Sequence, residues 1–214
     1  MLTFITFLLS LGFTESNSLE IVNAWGNGLP KLFTFTAQIC IIMITAHALA
    51  HTDPIEKLLN KAGSLPTSAN QAYALVAFVS GIASLFAWSF GLIVGGLIAK
   101  FVAIGCQKKS IKVHYPLIVA SAYSGYVIWH MGYSSSAALF VASENHSLIQ
   151  EIGIIPVTDT IFSSFNIFMA LVTLLTITIL APLMRTKDSK TIIEVNAKKL
   201  FNKEERGIKR ISSI

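Results

Sequence analysis

His130, Gly132, Ser134, Ser135 and Ser136 stand close together inside Tyr115–Ser143, an apolar run without Asp, Glu, Lys or Arg. The imidazole titrates near neutral pH when unperturbed. Each serine hydroxyl both donates and accepts a hydrogen bond. Such a set can hold an anion or a cation and can pass a proton. Breaking covalent bonds asks for more. A serine nucleophile paired with His130 would need a third group to orient the imidazole, and none stands nearby. The chain has no His-Glu-x-x-His metal pattern, no Gly-x-Ser-x-Gly elbow and no phosphate-cradling glycine loop. The residues point to binding rather than catalysis.

The element that carries this cluster must be unusual. A helix crosses the hydrocarbon of a bilayer with about 20 apolar residues, and the cluster sits where lipid would favour Leu and Ile. Loosened helix survives at that depth only when it is buried in protein or lines a wet cavity. Broken helices of this kind build the substrate and ion sites of transporters near the membrane midplane. Ser121, Ser124 and Gly125 equally fit simple close packing of helices, which small residues allow. The cluster Gly132–Ser136 fits that reading less well.

Composition sets the class. Of 214 residues, 53% are hydrophobic and 13% charged, with a mean hydropathy of +0.66. Soluble domains carry about 25% charged residues, so the sequence predicts an all-α integral membrane protein. The net charge of +5 does not indicate nucleic acid, because the basic residues are segregated to loops and a tail. Cys40 and Cys106 form no disulfide framework. Asn145-His146-Ser147 is a glycosylation sequon, a pattern that arises often by chance.

Taken in order, residues 1–14 are apolar but short for a span. They lack the basic start and small-residue cleavage site of a signal peptide and read as the far end of a first helix. Glu15–Pro30 is expected to be a polar connection, with Trp25 as an interfacial anchor and Asn27-Gly28 as turn formers. Residues 32–50 form a span whose Gln38, Thr45 and His47 are expected to bond between helices. Thr52–Ala62 is amphipathic and opens on Asp53-Pro54, a helix-start signal. Ala62–Ala99 carries no charge. As one helix it would reach about 57 Å, and it is slightly short for two full crossings. A re-entrant hairpin over 66–99 fits best, its tip among Gly81–Gly91 and level with Gly132–Ser136. Lys100–His114 is a basic loop, 115–143 the broken span, 161–184 the last span and 185–214 a basic tail. Asp159 is expected to cap the last helix. With the tail in the cytoplasm, the inner loops hold every Lys and Arg except Lys31, and Glu15, Glu20, Glu144, Glu151 and Asp159 lie outside, the positive-inside pattern.

Several blocks together resemble the short-chain fatty acid transporter family. They are Ala24-Trp25-Gly26-Asn27-Gly28, Thr45-Ala46-His47-Ala48-Leu49-Ala50, Trp88-Ser89-Phe90-Gly91-Leu92-Ile93-Val94-Gly95, Tyr115-Pro116-Leu117-Ile118 and Ile155-Pro156-Val157-Thr158-Asp159-Thr160 running on to Ser163-Ser164-Phe165-Asn166. The resemblance runs from near Met1 to about Leu200. It implies one inverted-repeat unit of a secondary transporter in the cytoplasmic membrane, with a re-entrant hairpin and a broken helix. Family members are about twice as long, and this chain resembles their first half. The implied substrate is a short-chain carboxylate such as acetoacetate or butyrate, with Na⁺ or H⁺ as coupling ion and no cofactor or metal. The implied partner is a second transporter half or another copy.

A carboxylate needs donors for two oxygens and a modest apolar slot; serine hydroxyls and half-helix amides supply donors without a buried charge. On the hairpin the site residues are then Ser84, Trp88, Ser89, Phe90 and Gly91. On the break they are His130, Gly132, Ser134, Ser135 and Ser136. Trp88 and Phe90 either wall the slot or simply pack. His130 is either a proton-coupling group or a buried neutral histidine between helices. The chain departs from the family at the break, where His130 and Met131 replace glycine-rich sequence. Other readings are a truncated or non-transporting subunit that packs against a second half, and, less well supported, a membrane-embedded acyl hydrolase or transferase.

Overall fold

The computed structural model describes residues 1–194 except Asn145, Lys187, Ser189 and Lys190, and not the side chains of Leu29, Lys31, Leu32, Thr34, Phe35 and Gln38. Residues 195–214 of the expected tail, the sequon's Asn145, the expected inward side of Ser189 and the bonding of Gln38 therefore lie outside the described residues. The chain forms two compact units, Met1–Thr45 and Ala46–Ile214.

In the first unit, α1 (Leu2–Phe13) is followed by the larger part of α2 (Ser18–Ala50). The expected connection over Glu15–Pro30 is helical from Ser18 onward. A reciprocal cap starts it: the Glu20 amide donates to Asn17 Oδ1 at 2.9 Å, and the Asn17 amide donates to Glu20 Oε2 at 3.0 Å. This is the capping-box arrangement. Each Gly or Asn then costs the helix at most about 1 kcal/mol, so Gly26, Asn27 and Gly28 do not stop it. Thr45 donates to its own helix, at the Ile41 carbonyl.

The second unit holds the end of α2, then α3 (Asp53–Gly63), α4 (Ala69–Phe86), α5 (Trp88–Lys108) and α6 (Tyr115–Ser124). A 3-10 helix (Gly125–Met131), α7 (Ser136–Val141), α8 (Ile149–Ile152) and α9 (Ser164–Leu183) complete it. At the end of α2, His47 and His51 are exposed and their rings lie 4.2 Å apart. The His51 ring bonds the His47 carbonyl rather than another helix. Among the described residues, three helices are long and apolar enough to cross a membrane: α4, α5 and α9.

The hairpin is α4 and α5, joined through the single extended residue Ala87. Its arms are longer than the sequence suggests, about 27 Å and about 32 Å at 1.5 Å per residue. The second arm does not stop at Ala99 but continues to Lys108, so the basic connection begins at Lys109. Lys100 is tolerated inside the helix because its apolar stem can lie along the surface while the ammonium reaches outward.

The core lies between the arms and α6. Tyr73, Val76, Ala77, Val94, Ile98, Val102, Ile118 and Ala122 are buried there. The Tyr73 hydroxyl accepts the His114 amide at 2.8 Å, holding α4 to the start of α6. The segment after α9 returns to the same place: Tyr115 donates to the Ile193 carbonyl at 2.8 Å, and Ile193 donates to His114 Nδ1 at 3.1 Å. Helix α9 is mostly exposed and buries Ala170 and Leu174 with Ile128 of the 3-10 helix. It starts at Ser164 rather than Ile161, and its cap is Ser163, whose hydroxyl accepts the Asn166 amide at 3.2 Å. Asp159 does not cap it; its carboxylate accepts from the neighbouring Thr158 hydroxyl.

Candidate functional site at the hairpin tip

The hairpin tip and the break are held together by hydrogen bonds that neither could make alone. At Ala87 the α4 ladder ends and the α5 ladder begins, which leaves acceptors on one side and donors on the other. Tyr133 donates its amide to the Leu85 carbonyl at 2.8 Å. Trp88 donates its amide to Ser134 Oγ at 3.0 Å. Ala87, the residue before α5, has no side chain able to cap, so a serine from the break supplies the missing acceptor.

Contact this close demands glycine. A Cβ on Gly132 would lie 2.2 Å from the Leu85 carbonyl oxygen and 2.5 Å from its Cα. Within the hairpin, a Cβ on Gly91 would lie 2.0 Å from Ser84 Oγ. Gly91 thus lets the arms meet, and Gly132 lets the break reach them.

The serines divide by what they bond. Ser84 is buried and donates to the Ser80 carbonyl at 2.8 Å. Ser135 is buried, and its carbonyl accepts the Leu139 amide at the start of α7. Ser89 is 2% exposed, and its Oγ is the one buried side-chain polar atom without a partner among the described residues. It sits in the first turn of a 21-residue helix, where partial positive charge gathers and the amides of Ser89 and Phe90 have no intrahelical acceptor. The chemistry on offer is hydrogen-bond donation to an anion.

The other expected site residues fall differently. Phe90 is half-buried and packs against the core, and Trp88 is half-buried at the tip. Ser136 is exposed as the first residue of α7. His130 is not buried between helices. It is exposed, its ring 3.6 Å from that of Trp129, at the end of a row of rings formed by Tyr123, Tyr126 and Trp129. The structure therefore brings Trp88, Ser134 and Gly132 together with Leu85 and Tyr133, and leaves His130 and Ser136 on the outside.

Sequence reasoning missed two participants. Ser80 donates to the Ala122 carbonyl, tying the hairpin to α6; its signal was its position one turn before Ser84. Asn166 donates from Nδ2 to the Met131 carbonyl at 2.9 Å and to the Ile161 carbonyl at 2.7 Å. Its signal was a lone amide among apolar residues. Beside the tip lies an apolar groove of about 490 Å³, lined by Leu85, Phe86, Met131, Tyr133 and Phe162, a volume in the range of small-molecule sites. No group of three His, Cys, Asp or Glu among the described residues could hold a metal ion.

Comparison with known proteins decides the family. The pattern described as "Short chain fatty acid transporter" matches residues 1–214. The chain belongs to the short-chain fatty acid transporter family. Two relatives carry the name "Putative short-chain fatty acid transporter". The one from Escherichia coli (strain K12) is 34% identical over 192 residues, 90% of this chain and 43% of the relative. The one from Haemophilus influenzae (strain ATCC 51907 / DSM 11121 / KW20 / Rd) is 36% identical over 198 residues, 89% of this chain and 43% of the relative. The chain thus spans less than half the length of the curated relatives it matches. No solved structure matches it. It is a membrane protein of a transporter family, not of an enzyme family.

Proposed function

We propose that this chain is one repeat of a secondary transporter that carries short-chain carboxylates such as acetoacetate or butyrate across the cytoplasmic membrane, coupled to Na⁺ or H⁺. The observation that carries the reading is Ser89: a buried hydroxyl without a partner, in the first turn of α5, beside a tip closed by Ser134. A carboxylate oxygen would accept from that hydroxyl and from the free amides of the turn. Trp88 and Phe90 flank the same turn. The names of the relatives support the substrate class.

In this reading the hairpin is re-entrant. From Trp88 to Lys100, the first charged residue of that arm, the helix rises about 18 Å. With Lys100 at the interface, the tip stops inside a hydrocarbon layer about 30 Å thick. The amphipathic stretch Thr52–Ala62, the connection after α5 and the segment after α9 then face the cytoplasm, and the membrane domain is multi-pass. His130 stands exposed beside Trp129, outside the hydrogen bonds that close the tip, with its ring open to a partner.

A single repeat supplies half of the donors around a carboxylate, and alternating access moves one bundle against another. The chain therefore pairs with a second transporter half or with a copy of itself. The test is uptake of labelled acetoacetate or butyrate into vesicles, with and without a Na⁺ or H⁺ gradient, for the chain alone and with a second half co-expressed. Saturable uptake only in the co-expressed vesicles is the expected result. Robust uptake by the demonstrably monomeric chain would overturn the pairing, and no uptake in any vesicle would overturn the transporter reading.

A further inference from the structure

Asn166 is the residue of the Ser163-Ser164-Phe165-Asn166 block that the tip site leaves unexplained. Its backbone sits in the first turn of α9, and its amide nitrogen reaches the Met131 and Ile161 carbonyls. Both side-chain hydrogens are thereby used. The orientation is forced, because turning the amide over would set Oδ1 against two carbonyl oxygens.

The Met131 carbonyl is a particular one. It ends the 3-10 helix, and Gly132 after it is extended, with φ −102° and ψ −175°, so the helix offers it no further donor. The bonds to the hairpin tip come from the next residues along, Tyr133 and Ser134. The Ile161 carbonyl belongs to the turn that leads into α9. One side chain thus clamps the end of the 3-10 helix to the start of α9, immediately before the residues that touch the tip.

We propose that Asn166 is a positioning residue for the tip site: it sets the exit of the chain from Met131 so that Ser134 meets the Trp88 amide. It also makes α9 a mechanical partner of the break, so movement at the start of α9 is passed to the tip. The inference deepens the proposed function and rests on it only for uptake. The geometric part is tested without transport.

The experiment compares the wild-type chain with Asn166→Leu, which has no donor, and Asn166→Asp. The aspartate regains one O–H donor when its carboxyl is protonated and repels the carbonyls when ionised. Amide hydrogen exchange of the purified chain reports the break through peptides over 131–135, and the core through peptides over 94–106. Both variants are expected to speed exchange at the break by about tenfold or more and leave the core unchanged. In vesicles that transport, both should lose uptake at about pH 8, and Asn166→Asp alone should recover relative to wild type as the pH falls towards about 5. Unchanged exchange at the break in Asn166→Leu would overturn the proposal. So would loss of core protection in both variants, which would make Asn166 a general stability residue, or an uptake ratio of Asn166→Asp to wild type that does not move with pH. Absence of uptake in the wild type overturns the transporter reading, and the exchange result still decides this one.

Discussion

The Trp88 amide donates to the Ser134 hydroxyl at 3.0 Å, joining residues 46 positions apart. This bond caps a helix that has no capping side chain of its own, and it fixes the break against the hairpin.

Ser134→Ala removes that cap and leaves a donor in a half-buried place. Loss of an N-cap costs about 0.5–2 kcal/mol. The variant should melt a few degrees lower in detergent and lose uptake, and Ser134→Thr, which keeps the oxygen, should retain most of both. Equal melting temperatures for Ser134→Ala and wild type would show that the bond does not hold the tip.

Gly132→Ala and Gly96→Ala make opposite predictions from the same chemical change. The first drives a methyl into the Leu85 backbone; a Cβ on Gly96 has nothing within 4 Å. Overpacking of this kind costs about 1–3 kcal/mol, whereas Ala in a helix gains about 1 kcal/mol over Gly. Thermal unfolding should therefore fall for Gly132→Ala and hold or rise for Gly96→Ala. A Gly132→Ala protein as stable as wild type would mean that the break stands away from Leu85.

Ser89→Ala separates stability from binding. The native hydroxyl is buried without a partner, which costs about 1–3 kcal/mol, so its removal should leave the ligand-free protein as stable or more stable. The same change removes a donor to substrate, so the rise in melting temperature on adding butyrate should shrink or vanish. If the ligand-induced rise is unchanged, Ser89 does not face the carboxylate.

Topology is read by single cysteines at Ser110 and Ser147, both exposed, in a background with Cys40 and Cys106 replaced. An impermeant thiol reagent applied to intact cells should label position 147 and spare position 110. Labelling of position 110 from outside would reverse the orientation.

Much of this arrangement is legible in the residues themselves. The scarcity of charge over Ala62–Ala99 and Tyr115–Ser143 marks the hairpin and the broken span, because lipid excludes charge whatever the tertiary fold. The Gly and Ser cluster at 132–136 marks the break, since such residues leave a helix readily. The start of α2 is not legible in this way: Glu15–Pro30 reads as a connection, yet Asn17 and Glu20 form a local cap and the helix runs on through Asn27 and Gly28. Lys100 misled as well, since a charge near a membrane surface does not end a helix whose lysine can reach water.

What the tertiary structure alone decided is which polar groups meet. From Gly125 the chain turns by about 120° per residue instead of about 100°. By His130 the difference amounts to about 100°, enough to carry the imidazole from the expected interior to the outside. Past the extended Gly132, Tyr133 and Ser134 meet Leu85 and Trp88, and neither bond reaches the buried Ser89 hydroxyl. Asn166 enters because α9 happens to pass the Met131 carbonyl. Composition and spacing determine that a polar break lies in an apolar span. Which donor finds which acceptor depends on the helical pitch and on packing between residues far apart in the chain.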